Sequence, residues 1–178
     1  IKITRSISKV CKELGQPFIR YERAIDNISN AFLIEKFSDL GNYDLNNKSI
    51  LLAIGVRQIE EALNSLENSG ANVYARVLAN PESIRKTLSS SIQKANFAVL
   101  NPAASINGEI EKALVRRWNI DGVICRQSGG RNEKFWHRIC LSMGISLWLL
   151  ERPSEFKHIN SLDSYEKLIK RLKSIIMD

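Results

Sequence analysis

No apolar run in this sequence approaches the ~18–20 residues that a membrane-crossing helix needs, because Lys, Arg, Asp or Asn interrupts each one. The opening residues, Ile1-Lys2-Ile3-Thr4-Arg5, read as the start of an amphipathic helix and not as a secretory leader. Cysteine is scarce: Cys11, Cys125 and Cys140 lie far apart with no CxxC spacing, which excludes a disulfide framework and predicts reduced, buried thiols in a cytoplasmic protein. The two histidines, His137 and His158, share no ligand spacing with each other or with a cysteine, so no metal site is expected. Walker, Ser–His–Asp and paired-carboxylate patterns are missing as well, and with them the chemistry they carry. Low-complexity stretches and fixed-period repeats are absent.

What remains is an ordinary globular composition, 44% hydrophobic and 25% charged, in a chain of 178 residues. That length suits one domain or two small ones with a sizeable core. The net charge of +7 favours an anionic partner. Nucleic acid is disfavoured, since the basic residues are dispersed and no polybasic run or RNP-like aromatic motif occurs. A polyanionic small molecule and a plainly solvated basic surface both remain open.

The apolar pattern alternates between strand and helix. Ile3, Ile7, Val10, Cys11 and Leu14 mark one helical face, stopped by Gly15 and Pro17. Phe18–Tyr21 and Ala31–Phe37 are expected strands, and Asn42–Lys48 a polar loop. Ile50–Ile54 is continuously apolar, as expected of a central parallel strand buried on both faces. A helix to about Glu67 follows, then a strand at Asn72–Leu78 and a helix capped by Asn80 with Pro81 at its first position. Further strands are expected at Phe97–Leu100, Gly122–Cys125 and, last, Ile145–Leu150. Helices should span Asn107–Trp118, burying Ile110, Ala113, Leu114 and Trp118, and Asn132–Met143. A final helix is predicted behind an Asp163–Glu166 capping box.

This order calls for an α/β fold, Rossmann-like, with a parallel sheet and helices on both faces. Two lobes are expected: residues 1–48 as the remainder of an N-terminal half, the first lobe being truncated, and 49–178 as a C-terminal half ending in a helix. The chain does not begin with Met and enters a helix at once, so an upstream part is expected.

Ligands of open α/β sheets bind at the carboxyl ends of strands, which directs attention to three loops. In Gly55-Val56-Arg57-Gln58, Arg57 falls in the first turn of a helix, where a cation opposes the macrodipole unless an anion binds. An arginine simply pointing into water costs only a few tenths of a kcal/mol there, so that reading stands beside the other. In Arg126-Gln127-Ser128-Gly129-Gly130-Arg131, two glycines and a serine permit convergent N–H groups at a helix N-terminus, an anion nest flanked by arginines. A plain glycine-rich turn is the alternative. In Arg20-Tyr21-Glu22-Arg23, the arginines either pair with the glutamate or grip carboxylates. His137, beside Trp136, reads as structural, and Trp118, Trp136 and Trp148 read as core. No catalytic residue is identified.

In this order the motifs resemble the precorrin-6A (cobalt-precorrin-6A) reductase family, including its cyanobacterial-type members. The resemblance lies in Cys11-x-x-Leu14-Gly15-x-Pro17-x-x-Arg20-Tyr21-Glu22-Arg23, in the strand ending Gly55-x-Arg57-Gln58, and in the Phe97–Ile120 segment with Glu109-Ile110-Glu111-Lys112-Ala113-Leu114. It continues through Arg126-Gln127-Ser128-Gly129-Gly130, Leu141-x-x-Gly144-Ile145 and Glu151-Arg152-Pro153. The resemblance implies an NADPH-dependent oxidoreductase that reduces precorrin-6A, or its cobalt form, to precorrin-6B in cobalamin biosynthesis. Gly55, Arg57, Gln58, Arg126, Gln127, Ser128, Gly129, Gly130, Arg20 and Arg23 are then the expected cofactor- or substrate-binding residues. Three positions depart from the family pattern: Ala24 replaces a proline, Arg126 a lysine and Asn101 an arginine. The family's Gly-Gly-Thr cofactor loop would lie upstream of Ile1. A non-catalytic anion- or tetrapyrrole-binding module is the alternative function, and a basic nucleic-acid-binding domain a more distant one.

Overall fold

The apolar run at Ile50–Ile54 becomes the middle strand of a six-stranded sheet, and it does so because neither of its faces meets water. In the computed structural model, which describes residues 2–25, 30–101, 108–152 and 161–177, this strand spans Ser49–Ala53, and Ile50, Leu51 and Leu52 are wholly buried. Alternation splits its side chains between two cores. Ile50 and Leu52 join one cluster, while Leu51 and Ala53 join the other.

The chain divides into two compact units, residues 26–152 and a second formed by residues 1–25 with 153–178. In the larger unit the elements run β2 (Phe32–Ile34), a 3-10 helix (Phe37–Asn42), β3 (Ser49–Ala53), a 3-10 turn (Val56–Gln58), α2 (Ile59–Leu66) and β4 (Asn72–Leu78). They continue through α3 (Pro81–Leu88), a 3-10 turn (Lys94–Asn96), β5 (Phe97–Leu100), α4 (Glu109–Arg117), β6 (Gly122–Arg126), α5 (Arg131–Met143) and β7 (Ser146–Leu150). The sheet order is β2-β7-β6-β3-β4-β5, parallel at every pairing. α2 supplies Ile59, Ala62, Leu63 and Leu66 to one core; α4 and α5 supply Val115, Trp136, Ile139 and Cys140 to the other. The expected helix–sheet–helix layering is therefore present.

The smaller unit holds α1 (Lys2–Glu13), β1 (Arg20–Tyr21), β8 (Ser161–Leu162) and α6 (Tyr165–Met177), with β1 and β8 paired in parallel. Ile145–Leu150 is thus not the last strand; two residues carry no periodicity from which β8 could be read. The boundary expected after Lys48 runs inside the larger unit, where β2 pairs with β7 and the first 3-10 helix packs on α2.

Local chemistry explains several element ends. Asn80 accepts the Ser83 N–H at 2.8 Å, with Pro81 behind it, as expected. Gly144 closes α5 at φ +66°, and Gly70, at φ +72°, turns the chain between α2 and β4. At α6 the cap is Ser164, whose hydroxyl accepts the Lys167 N–H at 3.2 Å; the predicted Asp163 instead pairs with the Lys167 ammonium at 2.7 Å. α4 buries Glu111 and Val115 and exposes Ala113, so the expected stripe is rotated: an ion pair to Arg76 draws Glu111 inward. Asn107, its expected first residue, lies outside the described residues. The strand expected over Ala31–Phe37 shrinks to three edge residues.

Phe32, Tyr43 and Trp148 form an aromatic cluster with ring centroids 5.3–6.0 Å apart. The Trp148 indole lies across Gly122, and a Cβ there would collide with its ring. Replacing Gly122 with alanine is expected to destabilise the fold by about 1–3 kcal/mol through overpacking. Gly41→Ala, where a Cβ meets nothing, should stay within about 0.5 kcal/mol of the parent in urea unfolding. Burial pushes the Cys140 thiol up to about 12 and raises Cys125 well above an ordinary thiol. Both should resist a thiol reagent in the native state while Cys11, partly exposed, is labelled; mass spectrometry of the labelled peptides checks this.

Candidate functional site

Strand order places the site before any side chain is considered. From β3 the chain moves outward through β4 to β5, then returns to lay β6 on the other flank of β3 and continues to β7. Connections leave in opposite directions at β3 and β6, which opens a crevice beyond their carboxyl ends. A cleft of about 590 Å³ lies there, lined from the ends of β3, β4 and β6 and the starts of α3 and α5. Of the residues expected from sequence, Gly55, Arg57, Gln58, Arg126 and Ser128 all line it. Two loops separated by some seventy residues are thereby brought to one place.

After β3, Gly55 enters a 3-10 turn in which the Gln58 N–H donates to the Gly55 carbonyl at 2.9 Å. The turn delivers Arg57, exposed, to the cleft at the start of α2. Its charge acts on Glu82, in the first turn of α3. A 3.0 Å hydrogen bond from Lys86, the charge of Lys86 and then those of Arg57 and Arg85 hold the Glu82 carboxyl below the usual range. Gln58 contributes a buried carbonyl oxygen, Oε1, with no hydrogen-bond partner among the described residues. A buried acceptor of this kind costs about 1–3 kcal/mol unless something donates to it.

The loop after β6 is built differently from the open nest expected. The N–H groups of Ser128 and Gly129 both donate to Oε2 of Glu133, the latter at 2.7 Å, and the Gly130 N–H donates to the Ser128 hydroxyl at 3.2 Å. Glu133 is 2% exposed. The turn's converging donors are therefore already satisfied by a carboxylate from the first turn of α5. Gln127 faces away from the anion question: its side-chain oxygen accepts the Arg152 N–H at 3.3 Å and ties the loop to the end of β7. Arg126, exposed, stays on the cleft.

One cleft residue was invisible to sequence reasoning. Arg76 points from the middle of β4, its side chain only 10% exposed, with Nε 3.6 Å from Oε1 of Glu111. Burial lowers its pKa and Glu111 opposes that; a guanidinium stays charged regardless. Its Nε has no hydrogen-bond partner among the described residues. The available signal was a lone arginine inside an otherwise apolar strand, matched by a lone glutamate on the inward face of a helix. Three guanidiniums, Arg57, Arg76 and Arg126, thus surround one cleft against the single carboxylate of Glu82.

Arg20 and Arg23 lie in the smaller unit. Arg20 donates to Glu22 at 2.8 Å with both side chains largely buried, and Arg23 is exposed. His137 is 3% exposed within α5, as a structural residue should be. Among the described residues no three His, Cys, Asp or Glu side chains gather to hold a metal ion, and no helix is long and apolar enough to cross a membrane.

Comparison with known proteins agrees with the motifs. The chain is 27% identical to a cobalt-precorrin-6A reductase of a Synechocystis species over 85% of its length, and 24% identical to one of Methanocaldococcus jannaschii over 98%. It spans 59% of the first relative and 68% of the second. A solved structure of CobK precorrin-6A reductase shares the fold at a TM-score of 0.71, with 13% identity, covering 97% of this chain and 68% of that one. The model of the family described as precorrin-6x reductase CbiJ/CobK matches residues 1–173, and the chain belongs to that family.

Proposed function

We propose that this chain takes part in the nicotinamide-dependent reduction of the precorrin-6A macrocycle, or its cobalt form, with NADPH as hydride donor. The observation that carries the reading is the cleft at the strand-order reversal, ringed by Arg57, Arg76 and Arg126, in a chain of the precorrin-6x reductase family. Phosphates of a dinucleotide and carboxylates of a macrocycle are both planar or tetrahedral oxyanions that guanidinium groups bind with paired N–H donors.

The nicotinamide supplies the hydride when bound; the protein contributes position and field. Arg57 and Arg126, at the lip, gain most by contacting an anion directly. Arg76, held on the cleft wall by Glu111, offers a fixed positive charge that costs no reorganisation when a ligand arrives. Excluding water from this wall strengthens each of those interactions. In the smaller unit, exposed Arg23 is assigned to carboxylate recognition, and Arg20 to holding Glu22.

Calorimetric titration tests the reading with two ligands, NADPH and a carboxylated tetrapyrrole. Arg57→Ala and Arg126→Ala should each weaken at least one of them about tenfold, the loss of one charge-assisted contact. Arg76→Met should weaken binding and also destabilise the fold by roughly 3 kcal/mol, because it removes the buried guanidinium that the Glu111 carboxylate faces at 3.6 Å. Unchanged affinity for both ligands in both alanine variants contradicts the site. Salt-dependent RNA binding without affinity for either ligand would favour a nucleic-acid function instead.

A further inference from the structure

The Ser128–Gly130 turn has the form of an anion site at the start of a helix, and the chain itself fills it. Glu133 stands at the third helical position of α5, where the macrodipole favours a negative charge. One of its oxygens takes the N–H groups of Ser128 and Gly129, as a bound phosphate oxygen would. The other lies 3.7 Å from Nε2 of His137, one turn further along. His137 is in turn fixed from outside the helix. Asn30 donates through Nδ2 to the His137 carbonyl at 3.4 Å, which turns its Oδ1 toward the ring, and Nδ1 of His137 lies 3.0 Å from that oxygen. With an acceptor there, Nδ1 carries the hydrogen. Asn30, His137 and Glu133 thus lie in a row that ends on two backbone N–H groups beside the cleft, with Nδ1 of His137 hydrogen-bonded to Asn30 and Nε2 approaching Glu133 without a hydrogen bond to it.

We propose that Glu133 is a resident anion and a positioning residue. Its carboxylate occupies the turn's nest, keeps ligand anions out of it, and through the turn holds Ser128 and Arg126 at the cleft. A ligand phosphate seeking the same N–H groups must displace a buried, hydrogen-bonded carboxylate. Anion recognition therefore passes to the guanidiniums of Arg57, Arg76 and Arg126. The glycines serve the internal contact: Gly129 adopts φ +62°, a conformation other residues rarely take, and this brings its N–H to the carboxylate. The positioning role rests on the reading of the cleft as a ligand site; the occupancy of the turn does not.

The test uses the whole chain and two probes, acetate and NADPH. Glu133→Ala removes about an acetate's worth of atoms, so added acetate can take the vacated place. In ¹H–¹⁵N spectra of the parent, the Ser128 and Gly129 amide resonances should ignore acetate. In Glu133→Ala they should shift, then return saturably toward their parent positions as acetate is added. NADPH affinity of this variant should fall about tenfold and recover with the same acetate dependence, which a lost packing contact would not show. Glu133→Gln, of nearly equal volume, covers the case in which the alanine variant does not fold. Its neutral oxygen should shift both amides toward weaker hydrogen bonding, with no effect of acetate. Amides that respond to acetate in the parent, that do not respond in Glu133→Ala, or that are unmoved in Glu133→Gln overturn the proposal. If the amides behave as described but the parent does not bind NADPH, the cofactor reading fails and the resident anion stands.

Discussion

Everything in the larger unit depends on one constraint: in a parallel sheet covered on both faces, connections that leave the neighbouring strands β3 and β6 in opposite directions open a crevice beyond their carboxyl ends. Helices cover the faces, with α2 on one side and α4 and α5 on the other. Neighbouring connections that leave β3 and β6 in opposite directions cannot cover the strand ends between them. The cleft follows from strand order. Its walls come from the ends of β3, β4 and β6 and the loops and helix starts beyond them, and the chain has placed an arginine in the turn after β3, within β4 and at the end of β6.

These arginines are held in different ways, and the difference sets their roles. Arg57 and Arg126 are exposed and lose little when no ligand is present, which suits the recruitable contacts proposed for them. Arg76 is largely buried and is balanced by Glu111. A buried pair contributes little net stability but is costly to break, which makes Arg76 a fixed charge. The turn after β6 solves the same problem with the opposite sign: a buried carboxylate, Glu133, satisfies N–H groups that would otherwise require a ligand or water. The N–H groups of this turn are thus pre-satisfied, and under the proposed reading an anion is left to the guanidinium groups.

Much of this was legible in the sequence, in proportion to how local its causes are. The continuous apolar strand at Ile50–Ile54, the Asn80–Pro81 cap and the glycine stops follow from neighbours a few residues away, and all are found. The two arginine-bearing loops were visible because strand ends are where α/β sheets bind ligands, although only folding shows that they share one cleft. Arg76 and Glu111 were not visible as a pair: thirty-five positions separate them, and each alone looks like an ordinary charge. Glu133 looked like any acid in a first helical turn, so the Ser-Gly-Gly loop read as an open nest when its occupant stood three residues away. The stripe of α4 is turned by the Glu111–Arg76 pair, and the first turn of α6 takes the neighbouring Ser164 as its cap.

The central claim is that ligand binding occurs at the carboxyl ends of β3, β4 and β6. Hydrogen–deuterium exchange of the chain with and without NADPH tests it directly. The account predicts slowed exchange in peptides covering Ala53–Gln58, Arg76–Ser83 and Arg126–Asn132, the segments that wall the cleft. Protection confined to other segments, or none at saturating NADPH, would contradict it.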